Sequence, residues 1–206
     1  MDYGNAPQSG QLARFGSGPR AGVLVLCTAN VCRSPMAAPL LAGRLARLGE
    51  TVPVRSAGMN GDGAPPDPAA VTVMAGYGID IASHRSRMAG PGDLAQASLV
   101  LAMAREHLRF AVVTEPDAWP RAFTLKEIVR RGEQIGPRAP GEPFGAWLAR
   151  AHEGRERALL LGESARDDVP DPTGGPPRGY ASTAALLDGL IATLVELGWA
   201  HPASLP

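Results

Sequence analysis

The sequence predicts an α/β protein, doubly wound, with a central parallel sheet of about four strands and helices on both faces. Short runs of apolar, β-branched residues without polar alternation are typical of strands covered on both faces. The segments between them repeat apolar residues at helical spacing. Because strand-like and helix-like segments alternate along the chain, consecutive strands are expected to run parallel.

The most informative strand is expected at 22–27, which reads GVLVLC and suits the centre of the sheet. The next helix is expected to start near Pro35 and to end at Gly49, because proline suits a first turn and glycine a helix end. The other strands are expected at 52–56, at 97–103 and at the start of 122–131. The other helices are expected at 67–77, from the third strand to about 113, in the rest of 122–131, at 144–161 and at 180–199.

A chain of 206 residues is expected to hold one domain with extra loops. Residues 1–21 lack periodicity and are rich in glycine, proline and serine, which predicts a flexible N-terminal tail. The domain is expected to span 22–199, with a C-terminal tail at 200–206. Within it, 131–166 begins with a run rich in proline and glycine and predicts an insertion, too short for a core of its own.

Charge and composition argue against several classes of function. The 20 basic and 20 acidic residues cancel, so no global field would attract nucleic acid or an anionic membrane. No signal-peptide pattern is found, and no apolar stretch is expected to reach the ~20 residues that span a bilayer. These observations favour a cytoplasmic protein. The sequence has no heptad pattern, so it gives no indication of the oligomeric state.

The two cysteines, Cys27 and Cys32, are too few for a disulfide framework. Without a nearby histidine pair they also make a poor zinc site, so neither a metal nor a cofactor is expected. A lone cysteine is often an apolar core residue. Here, however, Cys27 is followed at fixed spacing by arginine, serine and proline where a strand gives way to a helix, which favours a chemical role.

The segment that follows the first strand, CTANVCRSP, is expected to bind phosphate. A loop at such a junction aims successive backbone N–H groups at one point, and the helix N-terminus adds partial positive charge. Arg33 can hold two phosphate oxygens with its planar fork, and Ser34 can donate a hydrogen bond to the sulfur of Cys27. These groups would favour the reactive thiolate. The expected phosphate-binding residues are Thr28, Ala29, Asn30, Val31, Cys32, Arg33 and Ser34.

The segment CTANVCRSPMA resembles the active-site signature of the low-molecular-weight protein-tyrosine phosphatases. Further similarity to that family follows in the family's order: RSAG at 55–58, GIDIASHRSR at 78–87, LVLAM at 99–103, FTLKE at 123–127 and DPTGG at 171–175. Thr28, FTLKE and DPTGG together resemble the bacterial branch of the family. The resemblance covers about residues 22–199 apart from the insertion. It implies a metal-independent phosphatase that acts on a phosphorylated protein, with phosphotyrosine as the favoured substrate.

The resemblance also implies how the reaction would proceed. Cys27 would attack phosphorus and form a phosphocysteine, with Arg33 as the phosphate clamp. Asp171 would protonate the leaving oxygen and then take a proton from the water that cleaves the intermediate. The same Asp-Pro-Thr-Gly-Gly sequence is also good turn chemistry. Asp167 and Asp168 are rival acids, ranked lower because the family's acid directly precedes proline.

Three polar residues are expected, by the same resemblance, to support the loop together with Ser34. Asn30 and Ser56 would hydrogen-bond to each other, and His84 would be a distal member of the network. Ordinary loop polarity is the alternative for Asn30 and Ser56, and a structural histidine is the alternative for His84.

Cys32 is expected, by family analogy, to form a reversible disulfide with Cys27 under oxidant. Packing behind the loop as a small residue is the alternative. The thioredoxin-coupled arsenate reductases share this fold and loop but relay a disulfide through additional cysteines. This chain has no cysteine beyond Cys32 for such a relay, which argues against that function.

Several departures from the family pattern leave other functions open. Ala29 stands where the family commonly has glycine, and Thr173 replaces the aromatic residue that often follows Asp-Pro. Protein-arginine phosphatases of the bacterial branch have a threonine before the second cysteine, whereas this chain has Val31, which cannot hydrogen-bond to a guanidinium. Phosphoarginine is therefore the second choice of substrate. A non-catalytic phosphate-binding module, docking through the insertion, is the alternative from another class.

Overall fold

The structure, a computed structural model, describes residues 21–200. Its sheet has four parallel strands in the order β2-β1-β3-β4. The strands are β1 Val23–Cys27, β2 Val54–Gly58, β3 Leu99–Ala102 and β4 Ala122–Thr124. The predicted fold class is confirmed. The expected tails lie, except for residues 21 and 200, outside the described residues.

Helices cover both faces of the sheet, as a doubly wound fold requires. They are α1 Arg33–Arg47, α2 Pro68–Gly76, α3 Pro91–Gln96, α4 Arg105–Thr114, α5 Leu125–Ile135, α6 Phe144–His152 and α7 Pro177–Gly198, with 3₁₀ helices at Pro116–Arg121 and Arg157–Leu160. One apolar core joins the sheet to α1, α2, α5, α6 and α7, and a second joins it to α3, α4 and the first 3₁₀ helix.

Two element predictions need correction, and one helix was not predicted. β2 starts at Val54 rather than at residue 52, because Pro53 has no N–H to donate to a sheet, although its carbonyl accepts from Val23. The helix expected at 144–161 ends at His152, and the chain turns at Gly154, where φ is +67°. α3 was not expected; its first turn is closed by the Asp93 carboxylate, which accepts from the Gly90 amide at 3.0 Å.

The expectation that no segment reaches membrane-spanning length is wrong for α7. This helix has 22 residues, and its mean hydropathy of 1.4 makes it long and apolar enough to cross a bilayer by length and composition. In the fold, however, it packs against α1 and α5, and Leu187, Ile191 and Leu194 are buried in the core. Its apolar character is therefore that of a core helix.

Residues 131–166, predicted to be an insertion and called the insertion below, cover the open edge of the sheet. β4 pairs only with β3, and unpaired strand edges invite aggregation unless they are covered. Arg155, in the turn after α6, donates to the carbonyl oxygens of Ala122 at 2.8 Å and Trp119 at 3.1 Å. Its guanidinium also lies 3.9 Å from the ring centre of Phe123 and binds both carboxylate oxygens of Glu127.

The insertion also adds to the main core rather than forming a separate one. Trp147 of α6 is fully buried, and its indole N–H donates to the Gly136 carbonyl at 3.1 Å. Phe144 stacks between Trp147 and Trp199 at centroid distances of 5.9 and 4.5 Å. Trp147 is therefore a packing residue, and it does not line the loop after β1.

We expect Arg155→Ala to lower the free energy of unfolding by about 3–5 kcal/mol, because Glu127 and two edge carbonyls would lose a buried partner. Urea denaturation measures this change. Arg157→Ala, which removes an exposed arginine of the same insertion, should change stability by less than about 0.5 kcal/mol. Equal, small losses in the two variants would show that the insertion does not stabilise the sheet edge.

Candidate active site

The loop between β1 and α1 lies at the point of the sheet where ligands bind in this architecture. β1 pairs with β2 on one side and β3 on the other, so the chain order reverses at its carboxyl end. Cys27 is the last residue of β1 and is 3% exposed. Arg33 is the first residue of α1 and is 4% exposed. The loop thus leads from a buried thiol to a buried guanidinium.

Asn30 gives this loop its shape. It is fully buried and has φ of +55°, a left-handed conformation that asparagine tolerates better than most residues. Its side-chain amide donates to Ser34 Oγ at 2.8 Å and Ser56 Oγ at 3.0 Å, and its side-chain oxygen accepts from the Arg87 amide at 3.1 Å. Its carbonyl oxygen lies 2.8 Å from His84 Nε2, which therefore carries the proton. The surroundings thus fix both the side chain and the backbone of Asn30.

Ser34 connects that network to the thiol. Its hydroxyl oxygen accepts from Asn30 and lies 3.0 Å from Cys27 Sγ, whereas the carbonyl of Ala57 is farther away at 3.5 Å. A hydroxyl has one hydrogen to donate. Ser34 can donate that hydrogen along the shorter contact to the sulfur, where it would stabilise the negative charge of a thiolate.

The end of β2 comes close enough to the loop to require glycine. A Cβ on Gly58 would lie 2.6 Å from the Thr28 carbonyl oxygen and 3.0 Å from the Ala29 carbonyl carbon. The Asn60 amide donates to the same Thr28 oxygen at 2.9 Å. Ala29 itself is not among the positive-φ residues of 21–200, so its Cβ brings no backbone strain in place of the family's glycine.

The helices behind the loop hold it through Val31. The Val31 carbonyl accepts from the amide of Asp67, the N-cap residue of α2, at 2.8 Å. The hydroxyl of Tyr180, on α7, donates to the Asp67 carboxylate at 2.7 Å. Burial and this hydrogen bond raise the pKa of Tyr180 to about 12, so the hydroxyl keeps its proton. The sequence predicted a helix at 67–77 but did not connect Tyr180 with the site.

Arg33 connects the loop with the segment around Asp171, which lies far away in the sequence. Its guanidinium donates to Asp171 Oδ2 at 2.6 Å, to Thr28 Oγ1 at 3.0 Å and to the Val169 carbonyl at 3.3 Å. The other oxygen of Asp171 accepts from the amide and the hydroxyl of Thr173 at 3.1 and 2.8 Å. The carboxylate is therefore oriented from both sides, and its side chain is still 42% exposed.

The two rival acids have structural roles. Burial would raise the pKa of Asp167, but hydrogen bonds from Arg105 and Arg130 outweigh burial and hold that pKa below its ordinary value. Asp168 accepts at 2.7 Å from the Arg105 amide at the start of α4, and again from a backbone amide of the preceding loop. Of the three carboxylates, only that of Asp171 contacts Arg33.

His107, on the first turn of α4, is a site residue that sequence reasoning missed. It is fully buried, and its Nε2 lies 3.0 Å from Thr28 Oγ1 and 3.2 Å from Glu106 Oε1. Burial, followed by the charge of Arg33, lowers the pKa of His107 to about 3, so the ring is neutral and its contact with Glu106 is not an ion pair. A signal was available: α4 starts just after β3, and the carboxyl ends of parallel strands share one edge.

Residues 21–200 contain no group of three or more histidine, cysteine, aspartate or glutamate side chains placed to hold a metal ion. The donors around the loop are backbone amides, hydroxyls and one guanidinium. A thiol at the end of the central strand, a buried arginine at the next helix and a carboxylate bound to that arginine are the groups that a cysteine-dependent phosphatase would use, so the site favours that class.

Comparisons with known proteins lead to the same class. The model of the low molecular weight phosphotyrosine protein phosphatases matches residues 22–135. A probable low molecular weight protein-tyrosine-phosphatase of Ralstonia solanacearum is 41% identical over 107 residues, which are 52% of this chain and 71% of that protein. A protein-arginine-phosphatase of Geobacillus stearothermophilus is 30% identical over 175 residues, 84% of this chain and 93% of the relative.

Solved structures show the same relationship. The crystal structure of a low molecular weight protein tyrosine phosphatase from T. tengcongensis superposes with a TM-score of 0.65 at 35% identity, covering 85% of this chain and 98% of the other. The chain therefore belongs to the low molecular weight phosphotyrosine protein phosphatase family and is a phosphatase of the hydrolase class. The insertion helix α6 lies beyond the residues that the family model matches.

We expect the pH dependence of stability to reveal the buried, neutral His107. The pKa of His107 is 6.5 in the unfolded chain and about 3 in the folded chain. At a pH between these two values, the ring binds a proton in the unfolded chain and is neutral in the native chain. The contribution of His107 to the free energy of unfolding is therefore largest above pH 6.5. It decreases as the pH drops, by up to about 1.4 kcal/mol per pH unit.

Urea denaturation of wild type and His107→Asn between pH 7 and pH 4.5 measures this slope. The variant, lacking the titrating ring, should lose less stability on acidification, whatever its stability at pH 7. Parallel curves for the two proteins would contradict the buried, neutral histidine.

Proposed function

We propose that this protein hydrolyses phosphotyrosine in phosphorylated proteins, with Cys27 as nucleophile, Arg33 as phosphate clamp and Asp171 as general acid. The 2.6 Å contact between Arg33 and Asp171 carries the proposal. It joins a carboxylate to the loop that starts at Cys27, although the two parts of the chain are 138 residues apart. Nucleophile, clamp and acid are thereby assembled around one loop.

The reaction proceeds in two displacements. The Cys27 thiolate attacks phosphorus, an S–P bond forms, the P–O bond to the tyrosine breaks, and Asp171 gives its proton to the leaving oxygen. Water then attacks phosphorus, Asp171 takes a proton from it, and the S–P bond breaks to release phosphate and the thiolate. The backbone amides of 28–34 and the guanidinium of Arg33 bind the charge that spreads over the phosphoryl oxygens.

The supporting residues keep the loop open for phosphate. Asn30, Ser34, Ser56 and His84 hold the backbone in the shape that directs its amides inward. Phosphate would also replace part of the contact of Arg33 with Asp171, which frees the carboxyl group to act as an acid.

Phosphotyrosine is favoured over phosphoarginine by Val31. Its side chain is partly buried and packs against the core, and it has no hydrogen-bond acceptor to offer a guanidinium. Phosphoarginine is the second candidate, because the arginine phosphatase of Geobacillus stearothermophilus aligns with 84% of the chain. A comparison of turnover on phosphotyrosine and phosphoarginine peptides of equal sequence decides between them.

A disulfide between Cys27 and Cys32 stays a prediction. Both cysteines are free and buried. Burial, followed by the negative charge of Asp171, raises the pKa of Cys32 to about 12. Cys32 is therefore a thiol at neutral pH, and its attack on an oxidised Cys27 would be slow there. A cytoplasmic location, which keeps thiols reduced, suits a nucleophilic cysteine.

We expect Cys27→Ser to abolish hydrolysis of both p-nitrophenyl phosphate and a phosphotyrosine peptide. Asp171→Ala should lower kcat on the peptide by about 10²–10⁴-fold and on p-nitrophenyl phosphate by less, because nitrophenolate leaves more readily without a proton. Steady-state kinetics measures both. Asp117→Asn, an exposed aspartate on the first 3₁₀ helix, is the matched control and should retain activity. Full peptide turnover by Asp171→Ala would refute the assignment of the acid.

A further inference from the structure

A cavity of about 360 Å³ adjoins Arg33 and Asp171 on the side of α4. One wall is the start of α4, and the other is the last part of the insertion together with the segment that leads to Asp171. The charged side chains that line it are Arg33, Arg109, Glu106, Glu163, Asp168 and Asp171. The insertion thus extends from the open sheet edge to the mouth of the active site.

Both arginines of this cavity already have partners. Arg33 is committed to Asp171 and, in the proposed reaction, to phosphate. Arg109 donates to the carbonyl oxygens of Leu160 and Gly162. It thereby braces the insertion against α4.

The negative charges of the other carboxylates that line the cavity are less well compensated. Asp168 accepts from two backbone amides. Glu106 contacts Thr28 and the neutral His107, neither of which carries a positive charge. Glu163 has no hydrogen bond or ion pair within the part of the chain that the structure describes. Two carboxylates without a cationic partner therefore face one cavity next to the phosphate loop.

Resting on the proposed function, we propose that this cavity is a subsite for a basic side chain, arginine or lysine, close to the phosphorylated residue of the substrate. A cation here meets Glu106 and Glu163, which together with Asp168 outnumber Arg109, the arginine of the cavity that is bound to carbonyl oxygens. An acidic side chain meets mostly like charge. The insertion then acts as a specificity element.

Binding to the inactive Cys27→Ser protein tests the subsite apart from catalysis. Three fluorescein-labelled phosphotyrosine peptides, identical except for arginine, alanine or glutamate at the residues flanking phosphotyrosine, are titrated by fluorescence anisotropy. We expect the arginine peptide to bind at least about fivefold more tightly than the glutamate peptide in low salt, and the difference to shrink in high salt.

Substitutions in the same background locate the effect. Glu163→Gln should reduce the preference for the arginine peptide, and Glu163→Arg should reverse it. Glu196→Gln, which removes the same charge from an exposed position on α7, should leave the preference intact. Equal affinities for the three peptides, no binding of any peptide, or a preference that Glu163→Gln leaves unchanged would each overturn the subsite.

Wild-type turnover of p-nitrophenyl phosphate keeps the two proposals apart. Turnover without a charge preference in peptide binding would refute the subsite and leave the phosphatase proposal standing. An inert wild type would refute the phosphatase proposal, and the peptide titrations would still decide whether the cavity selects basic side chains.

Discussion

The active site depends on one buried asparagine. Asn30 holds a left-handed backbone conformation in the middle of the loop, and such a conformation persists only where the surroundings impose it. Contacts from β2, from α1 and from the segment around His84 use every polar group of its side chain. Because these partners belong to separate parts of the chain, the loop takes its shape only when α1, β2 and the segment around His84 have come together.

A second constraint comes from Arg33. A buried guanidinium is costly unless its donors are satisfied, and here three partners from the loop and the Asp171 segment satisfy them. The same group therefore stabilises the domain and positions Asp171. His107 and Thr28 extend this arrangement to α4, so both faces of the sheet contribute to one site.

The segment 131–166, predicted from the sequence to be an insertion, is joined to the rest of the fold at three places. It packs Trp147 into the main core, covers the edge of β4 with Arg155 and ends beside the cavity next to Asp171. The first two contacts fix its position. The third gives a rigid wall to a part of the molecule where substrate side chains would lie.

Much of this arrangement could be predicted from the sequence. The run from 22 to 27 and the residues that follow it specify the central strand, the loop and the first helix by local pattern alone. The local pattern around residues 22–35 did not reveal His107, although its place just after β3 was a usable signal. It could not reveal Tyr180, because the contact of Tyr180 with Asp67 depends on how distant helices pack. The sequence pattern also predicted too long a helix in the insertion. Gly154 lies among residues that favour a helix, and the pattern did not show that the chain turns there.

The pattern also failed to show that α7 reaches the length and hydropathy of a membrane span. Length and composition alone do not distinguish a buried core helix from a spanning one. The packing of α7 on α1 and α5 makes that distinction, and packing appears only in three dimensions.

The most direct test of the account is to trap the covalent intermediate. Asp171→Ala is mixed with p-nitrophenyl phosphate, quenched in acid within the first turnovers, and analysed by intact and peptide mass spectrometry. The account predicts a protein heavier by one phosphoryl group, carried on the peptide that contains Cys27, and no such adduct in Cys27→Ser. A variant that releases p-nitrophenol while its Cys27 peptide stays unmodified, or that carries the phosphoryl group on another residue, would contradict it.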